Sequence, residues 1–185
     1  MLNPPLFLPP PNQRQIRSEV QWAELRRDGP WSGLSPRLRG NAAAGMRFER
    51  HTHSAMMEAF GPSGPGPLYA PAMWIAYLER NGSRLCWAQP DGLIIDLAKG
   101  QIIIVEIKLR HTQAAWWALR KLYEPLIRNI FGTSWHYAVC ELVHWFDPAV
   151  PWPEPYTMTP NPSRLMSNSF GIHIWSGRDK IDPFR

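Results

Sequence analysis

Residues Pro90 to Lys108 read PDGLIIDLAKGQIIIVEIK. Two apolar runs rich in β-branched residues, Asp91 to Leu97 and Gln101 to Lys108, flank the turn sequence Ala98-Lys99-Gly100, and this pattern predicts a hairpin. Ile102 to Val105 has no polar residue, as in a strand buried on both faces. Side chains alternate along a strand, so Glu106 and Lys108, two apart at its end, emerge on the same face. Asp91, which follows Pro90 at the start of the first run, brings a second carboxylate to this region. Two clustered carboxylates beside a lysine repel each other unless a cation lies between them. Hard oxygen ligands of this kind suit Mg²⁺ or Mn²⁺ rather than zinc.

Upstream, Arg84 to Gln89 predicts a strand, and Met73 to Glu79 a brief helix stopped by Asn81-Gly82. Ala42 to Phe60 predicts a longer helix. At about 100° per residue, Phe48, Thr52, Ala55, Met56, Ala59 and Phe60 share one face. Glu49 falls inside that arc, where a carboxylate is costly unless paired, and Glu58 points to solvent. Ser18-Glu19-Val20-Gln21 resembles a capping box and predicts a short helix to Arg27, ended by Gly29-Pro30. Downstream, Thr112 is placed to cap a helix carrying Ala115, Leu119, Leu122 and Leu126 on one side, which Pro125 should kink or end. Trp135 to Phe146 and Phe170 to Trp175 predict further strands. The central order is helix, three strands, helix, strand, an α/β class.

The prolines mark the boundaries of this centre. The chain has 185 residues and 20 prolines, yet only Pro90 and Pro125 lie between Ala72 and Asp147. Pro4, Pro5 and Pro9 to Pro11 favour an extended arm, Pro62, Pro65, Pro67 and Pro71 a loop, and Pro148 to Pro162 a long irregular return. Three parts follow: residues 1–41 as a Pro/Arg-rich arm with a short helix, 42–147 as the core, and 148–185 as an extension packing on the core. A composition of 44% hydrophobic and 19% charged residues excludes a disordered or fibrous chain. No apolar run approaches the ~18 residues of a membrane span, and MLNPPLFLPPPNQR lacks the basic start of a signal peptide, so a cytoplasmic protein with no membrane partner is expected. Cys86 and Cys140 are too few for a disulfide framework or zinc knuckle, and read as small buried hydrophobes. The net charge is +5, and 16 of the 20 basic residues are Arg, the side chain that forks onto phosphate.

Pro90-Asp91 followed by Glu106-Ile107-Lys108 resembles the signature of the PD-(D/E)XK nuclease superfamily, including small phage-type nucleases. Over Ala42 to Phe146 the element order is similar to that superfamily's restriction-endonuclease-like αβββαβ core, a mixed sheet flanked by helices. Glu49, in the string Gly45-Met-Arg-Phe-Glu49, resembles the extra acidic residue of many members. The resemblance implies an Mg²⁺-dependent deoxyribonuclease, with Mn²⁺ able to substitute and DNA as partner. Asp91, Glu106 and the backbone carbonyl of Ile107 would be metal ligands, and Glu49 would serve a second metal position or order the metal's waters. Lys108 would orient the attacking water and stabilise charge on the phosphate. Exonuclease-like members carry a Gln-x-x-x-Tyr element. Here Tyr123 is present but Leu119 stands in the place of the Gln, which favours an endonuclease.

Arg110, His111, Gln113, Arg120 and Lys121 are candidates to line a DNA path. Asp96 competes with Asp91 but has the opposite strand parity and nears the turn, where a solvated role is expected. His51 and His53 diverge by about 160° on a helix and cannot share a cation. His136 and His144 read as partly buried strand residues, and Trp116 and Trp117 as core. Two other readings stay open: an adaptor subunit, for example of a phage assembly or virion, whose proline-rich arms wrap a protein partner, and a homodimeric junction-resolving enzyme.

Overall fold

The computed structural model describes residues 10, 13–30, 40–61, 66–82 and 84–175. Pro4, Pro5, Pro9, Pro11, Pro62 and Pro65 lie outside these residues, so the expected N-terminal arm and part of the expected loop are not described.

The hairpin forms where its sequence places it. Strands β5 (Gly92–Asp96) and β6 (Gln101–Arg110) pair antiparallel from Gly92↔Val105 to Asp96↔Gln101. Gly100 takes a positive φ of 58° in the turn, a conformation that glycine adopts without a Cβ clash. Asp96 is buried rather than solvated, because it holds this turn: its Oδ1 accepts the Lys99 N–H at 3.0 Å, and its Oδ2 lies 3.0 Å from Lys99 Nζ.

β6 pairs parallel with β7 (His136–Trp145), and a parallel pair needs a crossover. A continuous helical segment supplies it: α2 (Gln113–Ala118), a π-helical turn over Leu119–Tyr123, and α3 (Glu124–Phe131). Pro125 does not end this segment, which passes through the π turn just before it. The proline sits in the first turn of α3, and the carbonyl of Lys121, which lacks a partner at position 125, accepts the N–H of Ile16 at 2.8 Å.

The main sheet is six-stranded and mixed, in the order β2-β5-β6-β7-β9-β8. Here β2 is Leu68–Pro71, β8 is Thr157–Met158 and β9 is Phe170–Ile174. One face packs Ile103, Val105, Ile107 and Leu142 against helix α1 (Gly40–Phe60) through Phe48 and Met56. The other packs Ile102, Ile104 and Val139 against Trp116, Trp117, Leu119 and Leu126 of the crossover. The protein is thus an α/β structure, and the described part of the C-terminal extension completes its sheet. Among the described residues, no helix is long and apolar enough to cross a membrane.

Three expectations are corrected. Ser18 to Arg27 is not helical, since β1 (Val20–Arg26) pairs antiparallel with β3 (Trp74–Glu79). The residues of the apparent capping box bond across strands instead: Ser18 N–H and hydroxyl both donate to Glu79, and Arg80 pairs with Glu19 at 2.6 Å. A register shift between Val20 and Trp22 turns both Val20 and Ala23 toward the core, a spacing of three that mimics a helix. Met73 to Glu79 is likewise a strand, the apolar centre of a second sheet β1-β3-β4. The first of the three expected core strands, Arg84 to Gln89, is β4 (Cys86–Ala88), which pairs with β3 rather than β5, and the neighbour of β5 is β2, drawn from the Pro/Gly-rich stretch.

Gly92 faces the ring of Tyr69, and a Cβ there would overlap it. Gly92→Ala should therefore lower the unfolding free energy by about 1–3 kcal/mol in urea titrations. Placed in a Tyr69→Leu background, which opens the space, the same substitution should cost clearly less.

Candidate active site

The β5 ladder ends at Gly92↔Val105, because Pro90 cannot extend it as a donor. Continuing that register by one residue sets Asp91 opposite Glu106. The Asp91 carboxylate takes over the ladder's work: its Oδ2 accepts the Ile107 N–H at 2.6 Å. The backbone of Asp91 is held from the other side, where its carbonyl accepts the Ala72 N–H at 2.9 Å and the Tyr69 hydroxyl at 3.4 Å.

Glu106 and Lys108 emerge on the same face, the one covered by the crossover. Lys108 Nζ lies 2.5 Å from Glu106 Oε1 and 3.7 Å from Asp91 Oδ2. The lysine ammonium thus stands as the cation between the two carboxylates. Among the described residues, Glu106 Oε2 is buried with no hydrogen-bond partner. Burial, then the Asp91 charge, pushes the Glu106 carboxyl up to about 8. Burial raises Asp91 as well, opposed by Lys108 and the Ile107 N–H. For Lys108, burial favours the neutral form, but Glu106 and Asp91 outweigh it and hold the ammonium charged. Tyr123, on the π turn, is raised first by burial and then by Glu106 and Asp91.

Glu49 reaches this end of the sheet from the α1 side. It is not on a sealed apolar face, since its side chain is 44% exposed and lies 3.7 Å from His53 Nε2. His53 lowers the Glu49 pKa against the effect of burial, with help from Lys108. His53 Nδ1 lies 2.6 Å from the Tyr69 hydroxyl, so a chain of polar contacts runs Glu49–His53–Tyr69–Asp91. His51 and His53 serve separate partners, as their divergence on α1 requires: His51 stacks on Trp175.

A second buried pair adjoins the first. Glu141 on β7 is in register with Glu106, and its Oε2 lies 2.6 Å from His111 Nδ1, with both side chains sealed from solvent. Burial raises the Glu141 carboxyl well above its ordinary range and lowers His111 to about 4, which keeps both neutral near pH 7. Trp152 stacks on the His111 ring with centroids 3.2 Å apart. The sequence signal for Glu141 is visible in retrospect: it is the lone acid within the apolar run Ala138 to Val143.

The five candidates for a DNA path divide. His111 is withdrawn from it by burial, and Arg120 by ion pairs at 2.6 Å to both Glu124 and Glu154. Gln113 bonds the Pro151 carbonyl at 3.2 Å. Arg110 and Lys121 are exposed, Lys121 lying 5.5 Å from the Trp116 ring. His144 is half-buried against Phe48 as expected, whereas His136 is exposed at the start of β7. Trp116, Trp117 and Cys140 are buried, and Cys86 is half-buried.

Among the described residues, no group of three His, Cys, Asp or Glu side chains is drawn together closely enough to hold a metal ion. The donor chemistry still fits a hard cation: two carboxyl groups face each other, and among the described residues the buried Glu106 Oε2 atom has no partner. No family model matches the chain, and no curated protein or solved structure matches it either.

Folded Glu106 keeps its proton up to about pH 8, whereas the unfolded chain releases it near the ordinary 4.5. The folded state therefore binds more protons between those values, and stability must fall as pH rises through that window. Thermal melts of metal-free protein should show this decline relative to Glu106→Gln, in which the Glu106 share of the slope is removed.

Proposed function

We propose that the protein is a Mg²⁺-dependent nuclease that hydrolyses phosphodiester bonds in DNA, with endonuclease action. The observation that carries the reading is the meeting of Asp91, Glu106 and Lys108 at the ends of neighbouring strands, with Lys108 Nζ 2.5 Å from one carboxylate and 3.7 Å from the other. The order α1, β2, β5, β6, α2–α3, β7 also supports likeness to a restriction-endonuclease-like core, with β3 and β4 as an insertion that builds the second sheet.

Asp91, Glu106 and the Ile107 carbonyl would hold the Mg²⁺, with Glu49 at the rim. When bound, the ion supplies positive charge to a phosphate oxygen and acidifies water. The chain's own residues do the rest. The Ile107 N–H fixes Asp91 Oδ2, so one carboxylate is oriented before any substrate arrives. Lys108, held charged by the carboxylates, sets its ammonium against the negative charge that develops on the phosphate. Burial of Glu106 leaves Oε2 with no hydrogen-bond partner among the described residues.

One observation favours a second reading. Lys108 already stands against both carboxyl groups, and no third ligand side chain joins them among the described residues, as in a nuclease-like core that serves as an adaptor. Incubation of supercoiled, linear and single-stranded DNA with Mg²⁺ separates the two. Nuclease action predicts cleavage lost in EDTA, and a fall of about 10²–10³-fold or more in Asp91→Asn and Lys108→Ala variants whose circular dichroism is unchanged. Cleavage by Lys108→Ala at the wild-type rate would overturn the assigned roles. A stable DNA or protein complex with no cleavage would establish the adaptor.

A further inference from the structure

We infer that Arg47 and Arg50 on helix α1 form a contact surface for the phosphate backbone of DNA, and that the substrate reaches the candidate site across this flank of the helix. The inference rests on the nuclease reading above and deepens it.

The two flanks of α1 are told apart by their contacts. Phe48, Thr52 and Met56 are buried toward the sheet. At about 100° per residue, Glu49 borders this buried face on one side, followed outward by His53, Arg50 and Arg47. That flank faces β2 and Asp91, because His53 Nδ1 lies 2.6 Å from the Tyr69 hydroxyl, which donates to the Asp91 carbonyl at 3.4 Å. The opposite flank carries His51, stacked on Trp175 with ring centroids 4.9 Å apart. Glu49 therefore stands between the candidate site and the two arginines. Its carboxyl is held below the ordinary range by His53, then by Lys108 and Arg50, against the effect of burial.

Both guanidinium groups are uncommitted. Arg47 and Arg50 are exposed, and neither makes an ion pair among the described residues. Arg50 Nη2 has a weak contact with Met46 Sδ at 3.5 Å. No acid stands three or four residues from either arginine along the helix, and like charges at that spacing repel each other, so an anion relieves the pair. A site made of Asp91, Glu106 and Glu49 needs cations outside it before a polyanion can approach. Lys108 is engaged by Asp91 and Glu106, and charged Glu49 repels a phosphate at the rim. Arg50 and Arg47, next beyond Glu49, offset that charge. Their side chains start about 5–6 Å apart. Each guanidinium forks onto a phosphate, so the pair grips the backbone without reading bases. The acidic centre behind them is chemistry for a phosphodiester, which selects DNA over an acidic protein as the occupant.

The test is fluorescence anisotropy of a labelled duplex over a series of salt concentrations, in EDTA so that binding is read without hydrolysis. The double variant Arg47→Gln, Arg50→Gln should bind about tenfold more weakly near 0.1 M salt, and its slope of log affinity against log salt should shrink by about 0.9 per arginine. Arg47→Lys with Arg50→Lys should keep the slope. Arg84→Gln, at an exposed arginine before β4 in the second sheet, should also keep it. An unchanged slope in the glutamine double variant overturns the surface. So does an equal loss in Arg84→Gln, which would make net charge the whole effect. Wild-type protein that binds polyglutamate as tightly as the duplex assigns the flank to an acidic protein and overturns the surface too. In each of these cases a wild-type protein that cleaves DNA with Mg²⁺ leaves the nuclease reading standing. The expected loss of slope in a protein that never cleaves upholds the surface and overturns the nuclease reading. Wild-type protein that neither binds nor cleaves DNA overturns both.

Discussion

The hydrogen bond from the Ile107 N–H to Asp91 Oδ2 is the constraint from which the candidate site follows. β6 runs past the end of its antiparallel partner, and the first amide beyond the paired region needs an acceptor. The paired backbone of β5, which ends at Gly92, does not supply one at that point. A side-chain carboxylate does so instead, and in doing so it is brought against the carboxylate of Glu106. Like charges at that range are tolerable only with a cation, and Lys108, two residues on and on the same face, provides it. A strand end that had to be capped has thereby gathered two acids and a base.

The cost of burying acids continues across the sheet. Asp91, Glu106 and Glu141 stand on three neighbouring strands, on the face covered by the crossover. Their charges are managed differently. Asp91 and Glu106 share an ammonium that still reaches solvent, so the local charge can change when another cation or a phosphate arrives. Glu141 and His111 are sealed and neutral, each with one polar atom left unpartnered among the described residues. Such a pair adds little stability over an apolar replacement, and its retention is understood more readily as a way of fixing the geometry of β6 and β7.

How much of this was legible in the sequence depends on the range of the forces involved. The β5–β6 hairpin, helix α1, β7 and the meeting of Asp91 with Glu106 and Lys108 follow from periodicity and turn chemistry within a few residues. β1 and β3 did not, because a bulge at Val20–Trp22 gives a strand the spacing of a helix, and because Met73 to Glu79 is apolar on every side, which suits a buried strand and a buried helix alike. β2 hid among prolines since it is short and ends in one. The roles of His111 and Arg120 were invisible for another reason: their partners, Glu141 and Glu154, are 30 and 34 residues away, and nothing local announces a buried polar pair.

The proline-rich return gains a structural meaning from the same contacts. Prolines at 148, 151, 153 and 155 keep the chain extended and irregular after β7, so it cannot pair at once with the sheet. That detour carries Trp152 onto His111, and Glu154 onto Arg120 and Trp116, before the chain comes back as β8 and β9. The stack covers the sealed pair behind the strand that bears Glu106, and the ion pair pins the crossover that covers the same face. β9 then lies against β7 and extends the sheet to the exposed end marked by Trp145 and Ile174. The segment that composition marks as an appendage therefore packs on the sealed His111–Glu141 pair and on the crossover that covers the face bearing Glu106.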